Sequence, residues 1–363
     1  MSCCPAPNLT DDVKEYYGKT LQTTGDLQTS MCTTPAQKMA KHVREALKLV
    51  HDEVTSKYYG CGIVVPECLE GMKLLDLGSG SGRDCFALAK LVGPDGFVTG
   101  VDMTDEQLAV ANKHVEYHQK VFGFSKPNVK FVKGYIEKLG DAGIADESVD
   151  IIISNCVINL VKDKEAVLKE AYRVLKYGGE LYFSDVYSDC ILSEEVRSHK
   201  VLWGECVSGA LQWKQLYDIA KSVGFETPRT LTVHPVEVHK PELKKVTGDA
   251  KFASVLYRLF KLKPGFENEA SQVIYNGSVT GFPDKLEFDR DYTFENGKAV
   301  TVDSVTSAIL KQSRFADDFM MKKAPCCAKT TLVGEVDPFQ ILEESGEKVD
   351  MRSQACCTGT KCC

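Results

Sequence analysis

The sequence predicts an α/β chain built on a mostly parallel sheet with flanking helices, followed by a smaller α+β C-terminal region. Three observations carry that prediction. From Lys73 onward, short apolar runs alternate with segments of helical length and spacing, the pattern of strands joined by crossover helices. The runs LLDL and DIIIS are apolar throughout, as strands buried on both sheet faces must be. Beyond Pro241 the texture shifts to alternating segments punctuated by Asn276-Gly277 and Asn296-Gly297, turn signals of antiparallel strands.

The elements follow in order. A lead-in helix is expected over residues 37–54, where Met39, Val43, Ala46, Leu47 and Val50 recur at helical spacing behind Thr33, Thr34 and Pro35 as start signals. MKLLDLG, GFVTGVDM, VKFVKGYI, VDIIISNCVIN and GGELYFSDVY read as strands, with RDCFALAKLVG, DEQLAVANKHVEYHQKVFG and KEAVLKEAYRVLK as the helices among them. A closing amphipathic helix is expected near TSAILKQSRFADDFMMK. The last forty residues are polar and cysteine-rich, and disorder is expected there. The resulting division is 1–64, a cysteine-bearing lead-in or lid; 65–235, the main α/β domain; 236–323, a small α+β domain; and 324–363, a loose tail.

Composition excludes several classes of function. Of 363 residues, 26% are charged and 43% hydrophobic, which is the balance of a globular chain with a real core. A net charge of −7 argues against a surface that neutralises nucleic-acid phosphates, so a small molecule is the expected partner. No run approaches the roughly 18 apolar residues of a membrane span. The opening MSCCPAPNLTDD lacks the features of an export signal, so the cytosol is the expected compartment; separately, a monomer is the expected state. Fifteen cysteines are too few for a disulfide scaffold and many for a reducing compartment, so the thiols call for a chemical role.

One loop points to a cofactor. Asp76-Leu77-Gly78-Ser79-Gly80-Ser81-Gly82 ends a strand and opens a helix, with glycines where a Cβ would block a turn and the close approach of a ligand. A pyrophosphate loop reads G-x-G-x-x-G, whereas here an acidic residue precedes G-x-G-x-G. Asp76 would repel a pyrophosphate and suits the positively charged S-adenosylmethionine. Asp102, with Met103 after it, ends the next strand about 20 residues on, where a carboxylate accepts ribose hydroxyls. Ile136 is placed to cover the adenine, and Asn155 and Cys156 close the fourth strand at the ligand-binding edge. The pattern is that of a class I methyltransferase, with a Rossmann-like sheet.

The acceptor is suggested by a family resemblance. Cys32, YYGCG at 58–62, LDLGSGSGRD, GYIEKLG, SNCVINLV, GGELYFSDVY, HKVLWGEC and YRLFK resemble the corresponding pieces of animal arsenite methyltransferases, over about residues 10–320. The resemblance implies methyl transfer from S-adenosylmethionine to trivalent arsenic, giving mono- and then dimethylated products. It implies Tyr59 as a cofactor contact, Cys61, Cys156 and Cys206 as arsenic ligands, and Cys32 as a redox partner that pairs with Cys61. It also implies a thioredoxin- or glutathione-type reductant. The chemistry agrees, because trivalent arsenic is a soft centre that prefers thiolates and keeps a lone pair to act as nucleophile. No general base is needed, since no proton leaves that lone pair.

Competing readings stay open at the level of sequence. A methyltransferase acting on carbon, nitrogen or oxygen would want a base or a large apolar pocket. A thiol-rich arsenic- or metal-binding protein would have no use for the Asp76 loop. Cys68, Cys85 and Cys190 read as core or surface thiols, and the doublets Cys3-Cys4, Cys326-Cys327, Cys356-Cys357 and Cys362-Cys363 as tail thiols. His114 and His118 lie one helical turn apart but lack the neighbours of a zinc motif, so an exposed polar face and no zinc are expected. Tyr58 and Trp203 fit cation–π contact with a sulfonium and ordinary packing equally well.

Overall fold

Lys73–Leu77 (β1) is an interior strand of the main sheet, and Leu74 to Leu77 are all buried, Asp76 among them. Phe97–Asp102 (β2) and Val149–Asn155 (β4) flank it in parallel, with Val129–Lys133 (β3) beyond β2 and Leu175–Ser188 (β5) beyond β4. Leu211–Gln212 (β6) pairs with the end of β5, while Arg229–Val236 (β7) and Phe252–Phe260 (β8) add an antiparallel edge. The strand order is β3-β2-β1-β4-β5-β8-β7. It reverses direction between β1 and β4, so the carboxyl ends of β1, β2 and β4 border one crevice. The structure is a computed structural model and describes residues 13–14, 39–58, 62–267, 269–325, 330 and 332–346. Cys32, Tyr59, Cys61, the proposed cap at Thr33 to Pro35 and the four cysteine doublets lie outside the described residues.

Helices cover both faces. Lys41–Lys48 (α1) and Asp52–Ser56 (α2) form the lead-in, and the expected single helix is broken between them because His51 caps α2, accepting the Glu53 N–H. Arg83–Val92 (α3) follows β1. Asp105–Lys113 (α4) and Val115–Phe122 (α5) follow β2, divided at His114, where the sequence suggested one continuous helix. Lys164–Val174 (α6) follows β4, capped by Asp163. Glu194–Arg197 (α7), Lys200–Gly204 (α8), Trp213–Val223 (α9) and Pro241–Thr247 (α10) complete the set around β6 and β7. Among the described residues no helix is long and apolar enough to cross a membrane.

Four expectations are corrected here. The boundary drawn at 235 cuts a continuous sheet, because nearly every residue of β8 is buried and nine of its positions pair with β5. The Asn-Gly pairs do not close hairpins. Ser271–Tyr275 (β9) pairs with Ala299–Val302 (β12) and Phe319–Lys323 (β13), while Lys285–Glu287 (β10) pairs with Thr293–Glu295 (β11). Register over the hydrophobic face thus overrides the local turn signal. The closing helix stops at Ser304–Gln312 (α11), and FMMK belongs to β13, whose Phe319 fills the small domain's core. Within the expected loose tail, Pro338–Glu344 (α12) is helical and buries Phe339 and Leu342 in the main core.

A buried ion cluster joins the two parts. Arg258 on β8 pairs with Glu180 on β5 (Nη2···Oε2 3.0 Å), and Arg314, just after α11, pairs with the same carboxylate. Burial opposes the charge on Glu180, and the two guanidinium groups override it, holding the carboxyl below its usual range.

Candidate active site

The glycine loop is shaped by what touches it. Gly78 (φ +73°) admits the Val157 side chain, which would lie 2.5 Å from any Cβ there. Gly82 (φ +88°) starts α3, and its Cβ direction is filled by Phe131. Only Gly80 (φ +52°) opens toward free space. The loop is latched from the lead-in side, where the Ser81 hydroxyl donates to the Val54 carbonyl at 2.9 Å.

A cavity of about 270 Å³ lies above this loop at the sheet's carboxyl edge. Its lining includes Asp76, Gly78, Gly80, Asp102, Met103, Ile136, Asn155, Cys156 and Cys206, so nine of the residues singled out in the sequence share one chamber. Gly82 does not line it and serves instead as the left-handed cap of α3. Tyr58 does line it, whereas Trp203 turns its indole N–H to the Leu160 carbonyl. Cys68 and Cys85 donate to Asp318 and Asp76, and Cys190 is exposed. The expectation of an exposed His114–His118 face is wrong. Both are buried, His118 completely, and it stacks on Phe86 with ring centroids 3.6 Å apart.

The cavity has two chemically distinct walls. On the first, Asp102 Oδ2 accepts from Gly80 N and Oδ1 from Thr104 N, both at 2.8 Å. These bonds orient its carboxylate and leave further lone pairs for ligand hydroxyls. Burial raises the Asp102 carboxyl above its usual range, and the two backbone donors oppose that shift. Burial, then the nearby Asp84 charge, push Asp76 up to about 7. Asp84, in the first turn of α3, was missed from the sequence, though an acidic residue directly behind the glycines was the available signal. Arg83 stacks over the Tyr58 ring and pairs with Asp84, closing this end. The Tyr58 hydroxyl donates to the Gly62 carbonyl and accepts from Asn155 Nδ2 at 2.7 Å.

This wall fits S-adenosylmethionine. Ser79 Oγ and Asn155 Oδ1 are buried without a hydrogen-bond partner among the described residues, and both residues line the cavity. A ligand carrying an ammonium and hydroxyls satisfies them, and clustered buried carboxylates call for a cation.

The second wall carries sulfur. Cys156 directly follows β4, and Cys206 follows α8. Cys206 Sγ donates to the Cys156 carbonyl at 2.9 Å, so the two residues meet. Both have left-handed backbones, φ 56° and 60°, a conformation costing a β-carbon residue on the order of 1 kcal/mol. Strain of that kind persists where the surroundings over-determine it. Here Asn159 supplies the brace: its N–H bonds Asp185 Oδ2 at 2.9 Å, and its Nδ2 donates to the Val186 and Cys206 carbonyls at 2.6 and 3.3 Å.

Comparison with known proteins identifies the family. A family model described as a methyltransferase domain matches residues 69–224, and one described as an arsenite methyltransferase C-terminal domain matches residues 268–363. The arsenite methyltransferase of Homo sapiens is 51% identical, with 97% of each chain covered. That of Aquipseudomonas alcaligenes is 46% identical over 97% of this chain and 99% of its own. The crystal structure of an arsenic(III) S-adenosylmethionine methyltransferase from Chlamydomonas reinhardtii superposes with a TM-score of 0.75 at 43% identity, covering 81% of this chain and 98% of that one. Half identical to the human enzyme over 97% of both chains, this chain belongs to the arsenite methyltransferase family.

Proposed function

We propose that this S-adenosylmethionine-dependent enzyme holds trivalent arsenic on Cys156 and Cys206, with Cys61 as third ligand, and methylates it to mono- and dimethylated products. The observation that carries the reading is the meeting of Cys156 and Cys206 in the cavity that Asp76 and Asp102 also line. S-adenosylmethionine supplies a methyl group on a cationic sulfur, which leaves as a neutral thioether. Asp102 and Ile136 hold the nucleoside end, Asn155 and Asp76 the amino-acid and sulfonium end, and the Met103 side of the chamber excludes water. Tyr59 is a further contact by family resemblance.

The chain's contribution is positioning and desolvation. Arsenite exchanges hydroxides for thiolates, and its lone pair points away from the sulfurs toward the donor. When the As–C bond forms, arsenic loses two electrons and becomes pentavalent. Oxidation of two thiols to a disulfide returns those electrons, and Cys32 with Cys61 are our candidates for the pair. A small dithiol of thioredoxin type, or glutathione, then reopens the disulfide by exchange through a mixed disulfide. The net charge of −7 and a reductant of this class support a cytosolic setting without nucleic-acid or membrane partners.

The test is turnover of labelled S-adenosylmethionine by the purified chain with arsenite and a thiol reductant, separating the arsenic species formed. Mono- and dimethylated arsenic are expected. Cofactor binding with no arsenic methylation would overturn the acceptor assignment.

A further inference from the structure

A second cluster of metal-ligating side chains lies outside the cavity. His51 caps α2, Glu53 stands in its first turn, and His114 sits at the break between α4 and α5. Their nitrogen and oxygen donor atoms all lie within 4.8 Å of one another. The His51 and His114 rings face each other with centroids 3.9 Å apart and an interplanar angle of 30°. His114 Nε2 lies 2.8 Å from Glu53 Oε2. The residue behind them is also ordered: buried His118 bonds the His114 carbonyl through Nδ1 at 2.8 Å and accepts the His51 N–H at Nε2 at 3.2 Å. One completely buried imidazole thus fixes both backbones that carry the other two.

We infer that His51, Glu53 and His114 form a binding site for a borderline divalent cation of the Zn²⁺ class. Two imidazoles and one carboxylate are the donor set that suits zinc, with a fourth position left for water. Tetrahedral ligands at 2.0–2.1 Å from a shared ion stand about 3.3 Å apart, so occupancy narrows the widest separation in the cluster and opens the 2.8 Å contact between His114 and Glu53 slightly. Two existing contacts yield to the ion. Lys113 Nζ, 2.7 Å from Glu53 Oε2 and 3.0 Å from Oε1, swings toward solvent, where its side chain is already 61% exposed. Where His51 binds through Nδ1, the Glu53 N–H loses its cap acceptor at 3.1 Å. His118 stays outside the ligand set and keeps the orienting role that residues behind metal ligands serve.

The site has a consequence for the neighbouring loop. Val54, inside α2, is the residue whose carbonyl accepts from Ser81 in the glycine loop. An ion joining α2 to the α4–α5 break therefore ties the lead-in to the cofactor domain one turn from that latch. This inference does not depend on the arsenic reading.

The experiment uses the full-length chain, reduced, with Zn²⁺ as the probe. Crystals soaked in zinc chloride and measured at the zinc edge are expected to show an anomalous peak bounded by His51, Glu53 and His114. Calorimetric titration is expected to count one equivalent fewer in His114→Asn and Glu53→Gln than in the native chain, while equivalents held by thiols stay unchanged. Zinc found only on cysteine sulfurs in the native crystals, or equal stoichiometry in all three proteins, overturns the site. The crystallographic arm needs no variant to fold.

Discussion

The two walls of the cavity are built on different principles. The donor wall is made of strand ends and backbone: Gly80 and Thr104 amides hold Asp102, and the glycine loop takes its shape from Val157 and Phe131. The acceptor wall is made of side chains on connecting segments, with Cys156 and Cys206 in left-handed conformations braced by Asn159. The first wall is assembled where neighbouring strands of the sheet end, with loop amides bonding a strand-end carboxylate. The second exists only because loops after two different elements converge. The donor wall should therefore tolerate loss of an acceptor residue, and the acceptor wall should depend on each of its parts.

The largest effect expected is on turnover. Cys156→Ser or Cys206→Ser should lower arsenite methylation by roughly a thousandfold or more, since a hard hydroxyl is a poor ligand for a soft centre. S-adenosylmethionine affinity should stay within about threefold, because the donor wall is intact. A matching loss of cofactor binding, read by calorimetry, would break the separation between the walls. Asp102→Asn makes the converse test. Removing a charged acceptor from two hydroxyl contacts should weaken cofactor binding by about tenfold to a hundredfold. Equal affinity in that variant would remove Asp102 from the donor wall.

The donor wall should also report pH. Asp76 titrates near 7 in the folded chain, and a cationic ligand prefers its ionised form. Cofactor affinity should therefore rise as pH climbs through 7, with about a tenfold gain from pH 6 to 8 that Asp76→Asn abolishes. The sign for stability is opposite, because a carboxyl raised on folding costs stability as pH rises from 4 toward 7. A flat affinity profile in the native chain would show that another carboxylate meets the cation. The smallest effect is expected from Asn159→Ala, which releases the Cys206 carbonyl and should reduce kcat on the order of tenfold with KM for the cofactor unchanged. A shifted cofactor KM instead would place Asn159 on the donor side.

These walls differ in how far the sequence reveals them. Asp76, the glycines and Asp102 are legible because a strand, a turn and a helix impose fixed spacing on them. Cys156 is legible for the same reason, being one residue past a strand. Cys206 follows a five-residue helix with no such spacing, so family resemblance alone singled it out. Asn159 gave no signal, since its role depends on what folds against it, whereas Asp84 was passed over although it follows the glycines closely. The fold shows the same division: the parallel strands follow from apolar runs, while β8's place in the main sheet and the pairing of β9 with β12 are set by burial at long range. The buried His118 was misread because helical spacing places it on a face without saying what covers that face.

Gly78 joins the two walls. Its missing Cβ is the space occupied by Val157, the neighbour of Cys156. A lineage that gained a side chain at Gly78 would displace Val157 and carry the adjoining thiol with it. The coupling runs one way: a side chain at Gly78 would reach the segment that bears Cys156 through Val157, whereas truncating Cys156 itself leaves the glycine loop untouched.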